Sequence, residues 1–469
     1  MKLNFSLIFT FCSSFLLGQI ITVSEPITLR NDLAYHILGE QEDNILLVRE
    51  QTTKVEVQAY DNKMHLKWEK ELDFDKGRPA MVSLVENNGL FEVLYRHRRK
   101  GKYYLKMHRY NSSANLIDST TIKKLGPAFF TPKYETILSE DERKLMLVDF
   151  DRISKFNVLM IDLDSMKVMW EHDFVSKEFF PLRELKEMKV DNRGNAYVTF
   201  DKDNRKSSRG SHRLEVFANG PDFAEETQII IPLENFLTYD ANFAIDNLNK
   251  KFVFAGLYSE KSIGRAIGYF FISVDLPNAG IITKAYHPFS SETISIFTDK
   301  KVNENRGITQ VKMQEVVLRR DGGVLLFMER VKLDERAPVG LSDRYLGFMV
   351  DYYYNNVFVA ALHPDGSNHW QEVLHKKQFS QDDGASYSSY FLLKTPRNIR
   401  VIFNDEIRNE NMVSEYVLSP GGVADRNSVF NTENQNLRLR FKDAVQVASN
   451  EIIVASERKN RIKLVRVTY

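Results

Sequence analysis

Residues 359–370 read VAALHPDGSNHW, and the same frame returns at residues 159–170 as LMIDLDSMKVMW and at residues 57–68 as VQAYDNKMHLKW. Each stretch is an apolar β-rich run, a polar turn and a short return that ends in tryptophan. Trp68, Trp170 and Trp370 are the three tryptophans of the chain. The first two lie two units of about 50 residues apart, a period that signals a solenoid, propeller or array. A four-strand unit of that length is the mark of a β-propeller.

Working outward, a second strand can be followed through eight units: EDNILLVRE, ENNGLFEVLYR, EDERKLMLVDF, DNRGNAYVTF, DNLNKKFVFAGLY, RRDGGVLLFMER, TPRNIRVIFND and SNEIIVASE. Each opens with Asn, Asp or Gly, which tolerate hairpin-turn backbones, and continues as a β-rich run. A third strand follows each time, ending in a second turn, most plainly HPDG and SPGG. The eighth unit stops at Tyr469, after its third strand. The segment QIITVSEPITL, Gln19 to Leu29, can supply the missing one. The expectation is an all-β chain in which residues 19–469 form a single eight-bladed β-propeller of four-stranded blades. The N-terminal strand closes the ring and hides edges that would otherwise template aggregation. Seven blades is the alternative, with one unit absorbed as an insertion. No helix-period segment of useful length stands between units.

The chain has 469 residues, 43% hydrophobic and 12% aromatic, with a formal charge of +1. That near-neutral balance gives no global bias toward nucleic acid, and no nucleic-acid motif is present. Residues 1–18 carry Lys2, then an apolar run ending in a small residue, and are expected to be a cleaved signal peptide. The expected location is therefore outside the inner membrane, in the periplasm or on the cell surface. Cys12 is the sole cysteine and would leave with the leader. The mature chain would then have no disulfide, no thiol catalysis and no Cys-ligated metal. No later apolar stretch has the length of a transmembrane helix.

The tryptophan spacing resembles the tryptophan-docking repeat of quinoprotein-like propellers, A-x-D-x-x-T-G-x-x-x-W. Ala360, Gly366 and Trp370 match it, as do Asp162 and Trp170, with Ser165 in the Thr place; around Trp68 only the tryptophan remains. The resemblance implies an eight-bladed ring, like those of quinoprotein dehydrogenases and of an outer-membrane assembly scaffold, and the pattern is also similar to secreted Bacteroidota propellers. It carries architecture only, because one fold hosts many functions.

The chemistry such rings can host is not written in this chain. Asp201-Lys202-Asp203 begins like a Ca²⁺ loop but has Arg205 where a third oxygen ligand belongs. The ten histidines include no H-x-x-x-H pair, and no G-x-S-x-G elbow is present. No cofactor and no metal are expected. The expected class is a non-enzymatic binding or scaffold protein. The alternative is a carbohydrate-active enzyme, glycosidase or lyase, with an axial pocket.

The more informative pattern is charge sorted by loop. In a propeller, loops between second and third strands open on the same face as the blade-to-blade connections. Several of the former are basic: Arg96, Arg98, Arg99 and Lys102 in blade two, Arg205, Lys206, Arg209 and Arg213 in blade four, and Arg458 and Arg461 in blade eight. All eight such loops sum to roughly +9, and the opposite face to roughly −8. These residues, with Tyr352 and Tyr353 from the long segment Glu329 to Asn355 of blade six, are the candidate ligand-binding set. The expected partner is an anionic glycan or an envelope protein, since arginine forks suit carboxylate and phosphate.

Overall fold

A computed structural model describes residues 19–469 apart from 76–79, 128–132, 151–154, 176–180, 262, 277–278, 303–305, 337–348, 406 and 408–411. The leader expectation, and Pro338, Gly340, Tyr345 and Phe348 of the long blade-six segment, lie outside the described residues. Eight antiparallel sheets follow one another, each a meander of four strands from the channel outward. Blade one, for example, is Asp32–Gln41, Asn44–Gln51, Val55–Tyr60 and Leu66–Glu71.

Ring closure uses both chain ends. Blade eight takes three strands from the C-terminus, Val445–Ala448, Glu451–Arg458 and Arg461–Thr468. Its outer strand comes from the N-terminal segment, which pairs in two pieces, Ile20–Val23 and Ile27–Thr28, both against Arg461–Thr468. The break falls at Ser24–Pro26, where proline has no N–H to give a ladder. Ser24 repairs it: its N–H donates to the Leu464 carbonyl, and its hydroxyl accepts from the Leu464 N–H, both at 2.9 Å.

The core sits in the seams. Eight separate apolar clusters each join one blade to the next, including one between blades eight and one built on Ile45, Leu47, Ile453, Ile462 and Leu464. The tryptophans belong to these seams. Trp170 and Trp370 donate their indole N–H to the carbonyls of Gly194 and Pro420 in turns of the following blade, each at 2.9 Å. In all three tryptophan blades a register shift immediately precedes the indole, where Trp68, Trp170 and Trp370 face Ala59, Met160 and Ala361. Such a bulge re-aims a side chain.

Two features differ from expectation. A helix, Ser291–Thr298, stands between blades five and six, N-capped by the Ser290 hydroxyl and ended by Asp299 in the left-handed region. Ile294 and Phe297 seal it onto the seam, so a short capped helix was readable from SSET but too brief to show a period. The long segment of blade six is mostly strand. Its second and third strands run on as Val324–Arg336 and Met349–Leu362, and an added strand, Gln378–Gln381, pairs with the latter.

Candidate functional site

The antiparallel meander puts every loop between second and third strands at the same end of its blade. The basic loops of blades two, four and eight therefore share a face with the blade-six extension. Their side chains are differently engaged. In blade two, Arg98, Arg99 and Lys102 are exposed, Arg98 lying 5.9 Å from the Tyr103 ring centre, while Arg96 is half-buried. In blade four, Lys206 is exposed, but Arg205 and Arg213 converge on Asp203 at 3.4 and 3.1 Å, and Arg213 also pairs with Glu215. Arg209 donates to the carbonyl of Glu260 at 2.5 Å. Tyr352 and Tyr353 are strand residues, not loop residues. Tyr352 packs toward Val331 and Tyr354, and Tyr353 toward Phe379, with the Lys332 ammonium 5.2 Å from its ring centre.

Blade eight gathers the basic residues into one place. Arg458 and Arg461 line a groove of about 850 Å³ together with Arg30, Lys459 and Lys463. The other lining residues are neutral, so the groove carries five cations and no carboxylate. Arg30 comes from the N-terminal segment, so ring closure itself completes the site. Sequence reasoning placed Arg458 and Arg461 here but not Arg30, which is near them only once the ring is shut.

Beside this groove a second cavity, about 620 Å³, opens at the channel end between blades one and eight. Lys459 and Asn460 line both. The wall of the second cavity is built by the connection from blade seven to blade eight, Leu437 to Asp443. Leu437, Leu439 and Phe441 are buried in this stretch, and the residues between them are cationic. Each cation stands over a tyrosine from a different part of the chain: Arg438 over Tyr387 at 4.7 Å, Arg440 over Tyr35 at 5.9 Å and Lys442 over Tyr354 at 4.6 Å. The alternation LRLRFKD was the available signal, lost when the blade-to-blade connections are summed together, because their charges nearly cancel as a set.

The electrostatics of this cavity differ from those of the groove. Arg440 is held by Asp443 at 2.6 Å and by Glu457, and the Tyr35 hydroxyl donates to Glu457 at 3.3 Å. Asp32 is held by Arg49 at 2.8 Å. Burial pushes the Tyr35 phenol well above its usual range, and desolvation lowers the His36 imidazole.

Further down the channel, Glu187 and Glu315 are paired with Lys189 and Lys394 at 2.5 and 2.8 Å. Among the described residues no group of three or more His, Cys, Asp or Glu could hold a metal ion, and no helix is long and apolar enough to cross a membrane.

No protein-family model and no curated protein matches the chain. Solved structures similar to it include BamB from Moraxella catarrhalis, with TM-score 0.41, 11% identity, and coverage of 96% of this chain and 100% of that one. The Dos1 propeller gives 0.47 and 8%, covering 96% and 95%. The quinohemoprotein alcohol dehydrogenase from Comamonas testosteroni gives 0.41 and 10%, covering 96% and 76%. At such identities and TM-scores the likeness says nothing of ligand or activity. By its own strand order, eight four-stranded meanders in a ring closed by the N-terminal segment, the chain is an eight-bladed β-propeller.

Proposed function

We propose that the chain is an exported binding or scaffold propeller of the periplasm or cell surface that engages an anionic glycan or an acidic envelope protein through its basic-loop face. The observation that carries this reading is the groove of Arg30, Arg458, Lys459, Arg461 and Lys463, five cations with no carboxylate among the lining residues. Guanidinium forks at a concave site match carboxylate and sulfate oxygens in pairs. The exposed cations of blade two add a long-range field on the same face that steers a polyanion toward it.

Titrating the purified chain with polygalacturonate at increasing salt tests the reading. Binding should weaken steeply with ionic strength, because exposed charges are screened beyond about 8 Å at physiological salt. Arg458→Glu with Arg461→Glu should abolish it. Undiminished binding by that double variant, folded by circular dichroism, would sink the proposal.

A carbohydrate-active enzyme is the second reading, favoured by the meeting of Tyr35, His36 and Arg440 around one cavity. A lyase needs a cation available to a uronate carboxylate. Arg440 is already neutralised by Asp443 and Glu457, which argues for binding over turnover. Incubation with acidic glycans should therefore produce no new reducing ends and no unsaturated product absorbing near the ultraviolet edge; either product would install the enzyme reading instead.

A further inference from the structure

We infer that the cavity between blades one and eight is a subsite for an uncharged sugar unit, so that the ligand is an acidic heteropolysaccharide whose charged units lie in the adjoining basic groove. The inference rests on the proposed anion-binding reading and adds the chemistry of the second half of the site.

Three observations carry it. The two cavities share Lys459 and Asn460, so one extended chain can occupy both across the tip of the blade-eight hairpin. Their charges differ in kind. The groove lining has five cations and no anion. The cavity lining has Arg440 and Lys459 against Asp32, Asp443 and Glu457, and the first of those cations is held between two carboxylates. A carboxylated or sulfated unit would gain little there, because Arg440 is already held by Asp443 and Glu457 and Asp32 is paired with Arg49, so the lining has no net positive charge to offer. A neutral pyranose would meet what it needs: carboxylate acceptors for hydroxyl donors, the His36 imidazole and Asn460 amide for the remaining hydroxyls, and an apolar patch for its C–H face. Leu33 supplies part of that patch, being 55% exposed although apolar, with Ile37 and Val445 beside it. The volume, about 620 Å³, falls among small-ligand sites, which run from about 300 to 1,000 Å³.

The test compares two probes on four proteins by isothermal titration calorimetry at low salt. Hyaluronan oligosaccharides alternate an acidic with an uncharged sugar, and oligogalacturonides are acidic throughout. The proteins are the parent chain, two cavity variants, Leu33→Asn and His36→Leu, and the groove variant Arg458→Glu/Arg461→Glu. Leu33 is exposed, so its replacement should leave folding intact, and circular dichroism checks both cavity variants. The parent should bind hyaluronan oligosaccharides at least ten-fold more tightly than oligogalacturonides of equal charge. Each cavity variant should lose that preference while keeping its oligogalacturonide affinity, and the groove variant should lose both ligands. Cavity variants that keep the full hyaluronan preference overturn the subsite and leave the groove standing. A groove variant that binds both probes like the parent, or a parent that binds neither, overturns the anion-binding reading and the subsite with it.

Discussion

Arg438 holds its guanidinium 4.7 Å from the ring centre of Tyr387, 51 residues earlier in the chain, and so ties the connection entering blade eight to the connection leaving blade six. The Tyr387 hydroxyl then donates to the Glu457 carbonyl at 2.9 Å, at the end of blade eight's second strand. The wall of the axial cavity is therefore fixed from the connection between blades six and seven. Tyr387→Phe keeps the ring under Arg438 and removes one hydrogen bond, which should cost about 0.5–1.5 kcal/mol. Tyr387→Ala removes the ring as well and should cost more, about 2–4 kcal/mol. Denaturant unfolding of the two variants separates the contributions; equal losses would mean that the stacking contributes nothing.

The groove and the blade-four loop make a direct comparison. Arg205 and Arg213 are balanced by Asp203 and Glu215, so of the three only Arg209 adds net charge, and its guanidinium is engaged by the Glu260 carbonyl. Arg205→Glu/Arg209→Glu should lower polyanion affinity by less than about three-fold, the scale of rim charges that act mainly on association rate. Arg458→Glu/Arg461→Glu should lower it by well over ten-fold. Titration of both double variants at one salt concentration decides the matter, and the reverse order would move the binding site to blade four.

How much of this was legible can be judged residue by residue. The blades were legible because each hairpin turn advertises itself in Asn, Asp or Gly and each seam strand in a β-rich run, both local signals. The face assignment of Arg98, Arg205 and Arg458 followed from the meander alone. What was not legible depends on closure or on distant pairing. Arg30 joins Arg461 only because the two chain ends share a sheet, and Arg440 meets Tyr35 only across the last seam. The pairing of Arg205 and Arg213 with Asp203 and Glu215 needed side-chain geometry, which a sum of loop charges cannot supply. Tyr352 and Tyr353 looked like loop aromatics because strand pairing runs past the usual blade edge, to Arg336 opposite Met349.

Between blades six and seven, Lys376 and Glu329 form an ion pair at 2.5 Å with both side chains essentially inaccessible. Glu329 also accepts from Gln314 at 2.6 Å and from the Ser389 hydroxyl at 2.7 Å. Removing one partner of such a pair strands a buried charge, and Lys376→Met should cost about 3–5 kcal/mol. Adding Glu329→Gln removes the stranded charge while keeping an acceptor for Ser389, so the double variant should be more stable than Lys376→Met alone by at least about 1 kcal/mol. Urea unfolding of the three proteins checks the order. A double variant less stable than the single would mean that the carboxylate is held by its hydrogen bonds without need of the lysine.

His108 predicts a pH effect with a definite sign. Its Nε2 lies 2.8 Å from the Tyr95 hydroxyl and its Nδ1 3.1 Å from that of Tyr110, with Phe74 stacked on the ring. Burial, with the nearby Lys106 ammonium adding to it, holds the imidazole below its usual value of 6.5. Above that value folded and unfolded chains are both neutral at this site and stability is full. As pH falls through 6.5 the unfolded chain takes up the proton first, so stability declines until the lower folded value is reached. The parent should lose thermal stability between pH 7.5 and 5.5. His108→Gln, although less stable throughout, should lose less over that interval, and an unchanged slope in differential scanning calorimetry would assign the acid sensitivity elsewhere.

The turn before each outer strand gives the last prediction. The position that is glycine in the repeat is left-handed at Gly366 and Gly422, and also at Met64, Ala114 and Met166, where side chains occupy the same backbone. At Ala114 the left-handed strain, about 1–2 kcal/mol, is offset by a methyl buried in the seam with blade one. Ala114→Gly relieves that strain but gives up the methyl, about 0.8 kcal/mol, and adds about 0.5–1 kcal/mol of unfolded-chain entropy. The terms nearly cancel, so the change should lie within about 0.5 kcal/mol of zero. Gly422 is different, because a Cβ there would stand 2.6 Å from the Trp370 ring. Gly422→Ala combines left-handed strain with overpacking of about 1–3 kcal/mol and should cost at least about 2 kcal/mol. Comparing the two variants by denaturant unfolding isolates the space beneath the turn from its backbone. No loss at Gly422 would show that the indole does not dock there in solution, and a large loss at Ala114 would show that its buried methyl outweighs the relieved strain.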